Sequence, residues 1–216
     1  MIWSNWLRLL CVIVPYATGV YLMFTGHFLL GIGLQIAVVA PVLWGTLNPS
    51  SRMFGSIQQS TGSNKLWLTL DDGPDPLTTP NILNTLAQRG VKATFFVIGE
   101  KAEKHPELIR EISAAGHQIA NHTWGHPQGS FWCLGPQRTQ REITACQEVL
   151  KNILGQAPEL FRAPVGHHNL FVHAVLKQNN MRLIGWNCRG FDGVHRPLED
   201  ILHLSLIHIS EPTRHI

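Results

Sequence analysis

From Leu9 to Ser51 the chain carries no Asp, Glu, Lys or Arg. An uncharged run of that length exceeds one bilayer crossing of about 20 residues and suits two. A cleaved signal peptide, with an apolar core of about 7–15 residues, is too short to account for it. Thr25-Gly26-His27 is the polar break in the middle. The expectation is therefore a transmembrane helical hairpin with spans near Leu7 to Phe24 and Phe28 to Leu47. Trp3, Trp6 and Trp44 stand where amphipathic indoles sit at headgroup level. One span followed by an interfacial segment is the alternative. Asn48-Pro49-Ser50-Ser51-Arg52 ends the membrane anchor (residues 1–52), and residues 53–64 read as a linker. Sidedness pulls two ways. Two spans keep the amino terminus and the following domain on one side, which Arg8, Arg52 and Lys65 weakly hold in the cytoplasm; one span places the domain outside. The expected location is the membrane, multi-pass.

Composition agrees. Only 14% of the 216 residues are charged and 44% are hydrophobic, where a soluble domain averages about 25% charged. The length suits one domain with an appendage. Of 17 basic residues, Arg8 and Arg52 lie in the anchor, leaving 15 against 14 acidic ones. No basic stripe remains to release counterions, so the reading has no nucleic-acid partner. Cys11, Cys133, Cys146 and Cys188 show no C-x-x-C spacing. The 12 histidines raise the question of a metal site.

Beyond the linker, strand and helix patterns alternate. Lys65 to Leu70 reads as a strand closed by Asp71-Asp72-Gly73-Pro74, and Thr79 with Pro80 opens a helix that ends before Gly90. Ala93 to Ile98 is a buried strand, Pro106 to Ala115 a helix, and Gln118 to Asn121 a strand that delivers His122. A helix over Gln137 to Leu154 follows. Leu160-Phe161 leads to Arg162, Asn169 caps the next helix, and Met181 to Trp186 is a fifth strand, with a further helix from Pro197 to about Leu204. Such alternation implies an α/β fold with a parallel sheet, whose working end lies at the carboxyl ends of the strands. Asp71, Asp72, His122, Arg162 and Asp192 all follow strands, so carboxylates, imidazoles and a guanidinium converge on one rim.

These residues resemble the polysaccharide deacetylases with a NodB-homology domain, carbohydrate esterase family four. Thr69-Leu70-Asp71-Asp72-Gly73-Pro74 is similar to the motif T-F-D-D-G-P, His122-Thr123-Trp124-Gly125-His126 to H-[ST]-x-x-H, and Arg162-Ala163-Pro164-Val165-Gly166 to R-x-P-x-G. Leu70 replaces Phe, and Val165 stands where Tyr is common. The acidic fourth motif is matched by Trp186 and Asp192, with Arg189 at its first acidic place. The resemblance covers about Lys65 to Leu202. It implies a distorted, incomplete parallel (β/α) barrel over residues 65–203 and a metal-dependent deacetylase of N-acetyl amino sugars. The metal would be divalent, zinc first, with cobalt or another transition metal as alternatives; the ligands would be Asp72, His122 and His126. Asp71 would be the general base, Arg162 would orient it, Asp192 would hold Arg162, and the Val165 N–H would meet the oxyanion. The substrate would be an N-acetylated polysaccharide or a lipid-linked glycan. Two readings stand beside this one: a tethered glycan-binding module without turnover, and a non-haem iron oxygenase, since two His and a carboxylate also suit Fe(II).

The family's general-acid motif, L-x-H, is spelled by Leu206-Ile207-His208, but too few residues follow Asp192 to hold a crossover helix and a returning strand before it. Leu204 to Arg214 reads like the in-frame translation of a transposon-end sequencing adapter. The expectation is a natural frame ending near His203, with the barrel's last strands and general acid lost and the activity therefore expected of the parent protein before this chain, a non-native tail over residues 204–216, and an exposed edge on the last strand.

Overall fold

The computed structural model describes residues 2–62 and 66–187, with side chains from residue 10 onward. The expectations for Cys188, Arg189, Asp192, the helix from Pro197 and Leu206-Ile207-His208 lie outside the described residues.

Two long helices come first, α1 (Ile2–Phe24) and α2 (Phe28–Leu47). They turn at Thr25 to His27, where Gly26 has φ 90°. They pack side by side because glycines let the backbones close: a Cβ on Gly31 would lie 2.6 Å from the Gly19 carbonyl oxygen. The Gln35 Nε2 donates to the Tyr16 carbonyl at 2.9 Å, bridging the pair. Phe24 is 88% and Leu29 83% exposed, an apolar surface that water solvates poorly. Among the described residues one helix, Phe28–Leu47, is long and apolar enough to cross a membrane; the apolar part of α1, Leu10–Phe24, is shorter.

The second part is α/β. Strands β1 (Thr69–Gly73), β2 (Thr94–Val97), β3 (Gln118–Asn121), β4 (Leu160–Phe161) and β5 (Arg182–Leu183) form one parallel sheet in chain order. Its helices are α3 (Thr79–Gln88), α4 (Gly99–Lys104), α5 (Pro106–Ala114), α6 (Pro136–Leu154) and α7 (Val172–Gln178). Alternation along the strands sorts the core into two faces. Phe95, Val97 and Ile119 pack outward with Leu86, Ile109, Ile112 and Leu150 under the helices. Phe96 and Ala120 point inward to Leu160 and Ile184, with Trp67 against them. The inner cluster is small, as a sheet curling toward a barrel requires. A cavity of about 140 Å³ lined by Trp67, Thr69, Arg162 and Trp186 lies between the ends of the curl.

Three differences from the sequence reading have physical causes. First, β1 runs to Gly73 instead of closing before Asp71. Second, the outer edge of β5 is covered: the Gln58 N–H donates to the Leu183 carbonyl and the Gly185 N–H to the Gln58 carbonyl, both at 2.9 Å. The curl brings the segment before β1 onto that edge, which the sequence reading left bare. That segment, read as a linker, also buries Phe54 and Ile57. Third, α4 was not expected, since six residues show no helical period.

Candidate metal centre

The two aspartates reach the rim through a bulge. The β1–β2 register passes from Leu70 opposite Phe95 to Gly73 opposite Val97, so Asp71 and Asp72 together oppose Phe96. Asp72 takes φ 68°, a left-handed conformation that Asp tolerates better than most residues. A regular strand would send neighbouring side chains to opposite faces. The bulge, and not a strand end at Gly73-Pro74, lets both carboxylates work at one rim.

His122 follows β3 directly and His126 follows on the same loop. The Asp72 Oδ1 lies 3.4 Å from His122 Nε2 and 3.1 Å from His126 Nε2, and one ligand atom from each residue falls within 4.8 Å of the others. A tetrahedral ion with bonds of about 2.0–2.2 Å separates its ligand atoms by about 3.3–3.6 Å, so the donor set fits a divalent cation. Among the described residues this is the cluster of three that can do so. The His122 Nδ1 sits 2.8 Å from the Arg162 carbonyl oxygen. A proton held there leaves the Nε2 lone pair for a metal, the usual orienting bond behind a ligating histidine. Without a metal, a proton on His122 Nε2 can instead face Asp72. A hydrogen bond from His122 holds the Asp72 carboxyl below its ordinary range, with burial opposing and the charges of His122 and His126 assisting. Desolvation, then the neighbouring His122, lowers His126 and keeps its ring neutral.

Both shifts act on stability with one sign. A group whose pKa is depressed by folding binds protons more readily in the unfolded chain, so stability falls as pH falls. Metal-free protein is expected to lose stability first as pH drops below about 6.5, where His126 resists protonation, and again below about 3.8 for Asp72. Urea midpoints measured from pH 8 to pH 3 check this; a midpoint that rises on acidification contradicts it.

Parts of the site that spacing did not reveal hold the loop in place. Asn121 is fully buried; its Nδ2 donates to the Ile143 carbonyl at 2.9 Å and its Oδ1 accepts from the Thr123 N–H at 2.9 Å. The Glu142 carboxylate accepts from the Gly125 N–H at 2.9 Å, and Lys101 Nζ donates to the Asp72 carbonyl at 2.8 Å. Their partners are remote in sequence; only the place of Asn121, directly before His122, was a signal.

Asp71 belongs to a separate network. Arg162, 1% exposed, donates from Nη1 to the Asp71 carboxylate at 2.6 Å and to the Thr69 hydroxyl at 2.9 Å. Its guanidinium lies 4.0 Å over Phe96 and 4.7 Å from the Trp186 ring centroid, capping the inner cluster. Val165, in the short turn Pro164–Gly166, has φ 49°, a conformation that β-branched residues seldom adopt and that strained functional turns retain. Aromatic, imidazole and thiol groups nearby serve packing. Phe131 is buried against Phe161, and Trp132 donates its indole N–H to the Gly129 carbonyl at 3.1 Å. His168 is buried, and the Cys146 thiol is pushed up to about 12 by burial, so it is no nucleophile.

Comparison with known proteins agrees with this geometry. Residues 58–184 match the family described as polysaccharide deacetylase. The chain is 35% identical over 156 residues to a chitooligosaccharide deacetylase of Bradyrhizobium sp. (strain ANU 289), covering 70% of this chain and 69% of that protein. It is 43% identical over 99 residues to a peptidoglycan-N-acetylglucosamine deacetylase of Bacillus cereus, covering 46% of this chain and 35% of the relative. Several curated relatives are thus much longer than the matched part. Among solved structures, the Bc1960 peptidoglycan N-acetylglucosamine deacetylase superposes with a TM-score of 0.63 at 31% identity, over 70% of each chain. The peptidoglycan deacetylase PdaC of Bacillus subtilis gives 0.60 at 30% identity, over 65% of this chain and 67% of that one. With that match over more than half its length and the carboxylate and imidazoles brought together at one rim, the chain belongs to the polysaccharide deacetylase family.

Proposed function

We propose that the protein is a membrane-anchored, metal-dependent hydrolase that removes the N-acetyl group from an amino-sugar glycan. The observation that carries this reading is the Asp72, His122 and His126 donor set beside a second carboxylate, Asp71, held by a different partner. One oxygen and two neutral nitrogens suit zinc, with cobalt as a substitute. A divalent cation there supplies Lewis acidity, which eases deprotonation of water and polarises the amide carbonyl.

The chain's own residues do the rest. Asp71 accepts the proton of the attacking water as the oxygen bonds to the carbonyl carbon. Arg162 fixes that carboxylate in place through Nη1, and Phe96 and Trp186 fix Arg162. The Val165 N–H is the donor for the oxyanion, and its turn is poised for that role by a backbone conformation set before substrate arrives. We assign to Asp192 the holding of Arg162 on its likeness to the family's acidic motif alone. The C–N bond then breaks, giving acetate and a protonated free amine. In the anchor, α2 spans the bilayer and α1 pairs with it as the second span, so that the Gln35 bond to Tyr16 is satisfied within the pair.

The test is acetate release from a chito-oligomer alongside measured metal content. Chelation is expected to lower release to background, with zinc or cobalt restoring it. Glycan binding without acetate would make the protein a binding module, and iron-dependent oxygen consumption would make it an oxygenase.

A further inference from the structure

The anchor and the catalytic rim meet. Pro49 comes two residues after α2 ends at Leu47, and it packs on the turn that follows Arg162. Gly166 has φ 77°, and a Cβ there would lie 2.9 Å from the Pro49 Cβ and collide with the Trp186 ring. Ser50 accepts at 3.0 Å from the Gln59 side-chain amide, which also donates to the Trp186 carbonyl at 2.7 Å. Ser51 is 2% exposed, Phe54 meets His168 edge-on at 5.9 Å, and a Cβ on Gly55 would lie 2.5 Å from the His173 ring. The last turn of α2 joins in, since a Cβ on Gly45 would reach Phe54 at 3.3 Å. Gly166, His168, His173 and Trp186 all follow the carboxyl ends of β4 or β5. The end of the anchor therefore reaches the barrel at its working end and is buttressed there from Gly45 to Gln59.

Chain geometry bounds the distance. The Arg162 carbonyl holds the His122 ring, and the four residue steps from Arg162 to Gly166 span at most about 14 Å. The donor cluster thus lies within roughly 30 Å of the end of α2, and closer because the path turns at Pro164–Gly166. The headgroup layer takes up about 5–8 Å of that gap. A sugar borne on a lipid stands in the remainder, whereas a polymer strand away from the bilayer does not.

We infer that the site is held with its mouth toward the bilayer and takes its amino sugar from a glycan carried on a lipid. The inference rests on the anchored-hydrolase reading and names the substrate of that same site. A flexible tether would sample all orientations; residues 49–59 are packed and bonded, so this one does not.

Two measurements on the full, metal-loaded chain in phosphatidylcholine vesicles test it. In the first, N-acetylchitobiose linked to a dialkylglycerol lipid in the same vesicles is compared with the same sugar free in solution. The lipid-borne sugar is expected to show kcat/KM about tenfold higher or more, through confinement to one surface. Equal values would overturn the inference and leave the hydrolase reading standing. Acetate from neither substrate would remove the hydrolase reading as well. The second measurement needs no turnover. With Cys11, Cys133 and Cys188 replaced by Ser, a donor dye is placed on Gly129→Cys, in the loop after His126, or on Gln156→Cys, between α6 and β4 at the opposite end. A Cβ on Gly129 meets nothing within 4 Å. Energy transfer to headgroup-labelled lipid is expected to be stronger from position 129. Stronger transfer from 156 would overturn the orientation whatever the activity, and a chain that does not float with the vesicles would remove the anchor on which it depends.

Discussion

Replacing Asp71 by Asn is expected to lower the turnover number by about 10²–10⁴-fold, the loss typical of removing a general base, with bound metal unchanged. Asn preserves the shape of the side chain and can still accept from Arg162 Nη1 through its amide oxygen. It cannot take a proton. Asp71 Oδ1 faces Arg162 at 2.6 Å, while the donor cluster is formed by Asp72 with His122 and His126, so the substitution separates proton transfer from metal binding. Metal content by elemental analysis should match that of the parent, and KM should move little because Asp71 acts as the bond forms. A fall in turnover smaller than tenfold, with metal retained, would remove Asp71 from the role of base. Loss of metal in this variant would instead make Asp71 part of the donor set.

Arg162→Ala should be the most damaging single change to the fold of the catalytic part. The side chain is among the largest fully buried ones, and it ties β4 to Thr69 and Asp71 on β1 while filling the space between Phe96 and Trp186. Breaking a buried ion pair by removing one partner costs about 3–5 kcal/mol. For a domain of this size the melting temperature should fall by about 6–20 °C. Activity should fall too, since Asp71 loses the contact that orients it. Arg162→Lys retains the charge but not the planar fork, so it cannot serve Thr69 and Asp71 while lying flat on Phe96. Its melting temperature should fall between those of the parent and the Ala variant. A melt of Arg162→Ala within about 2 °C of the parent would show that the network contributes nothing to stability.

What could be read without coordinates follows from how local each signal is. The helices over Thr79–Gln88 and Pro136–Leu154 were legible because proline at their starts, periodic apolar faces and the glycines beyond them act within a few residues. His122 and Arg162 were placed at strand ends for the same reason, and the structure puts each one residue past β3 and β4. Parallel order also followed, because helical crossovers admit little else. The uncharged first segment was equally plain.

Chemistry and class were thus determined by the sequence alone: an uncharged apolar run from Leu9 to Ser51, an alternating α/β domain, and the residue types that bind a divalent ion. Tertiary structure decided how those residues serve the site. A bulge sends adjacent aspartates to separate partners, Arg162 caps an inner cluster built by three strands, Gln58 covers the edge of β5, and the segment after α2 packs against the turn Pro164–Gly166. Each of these depends on contacts between segments tens of residues apart, whose free energy resides in packing and hydrogen bonds that exist only once the sheet has curled.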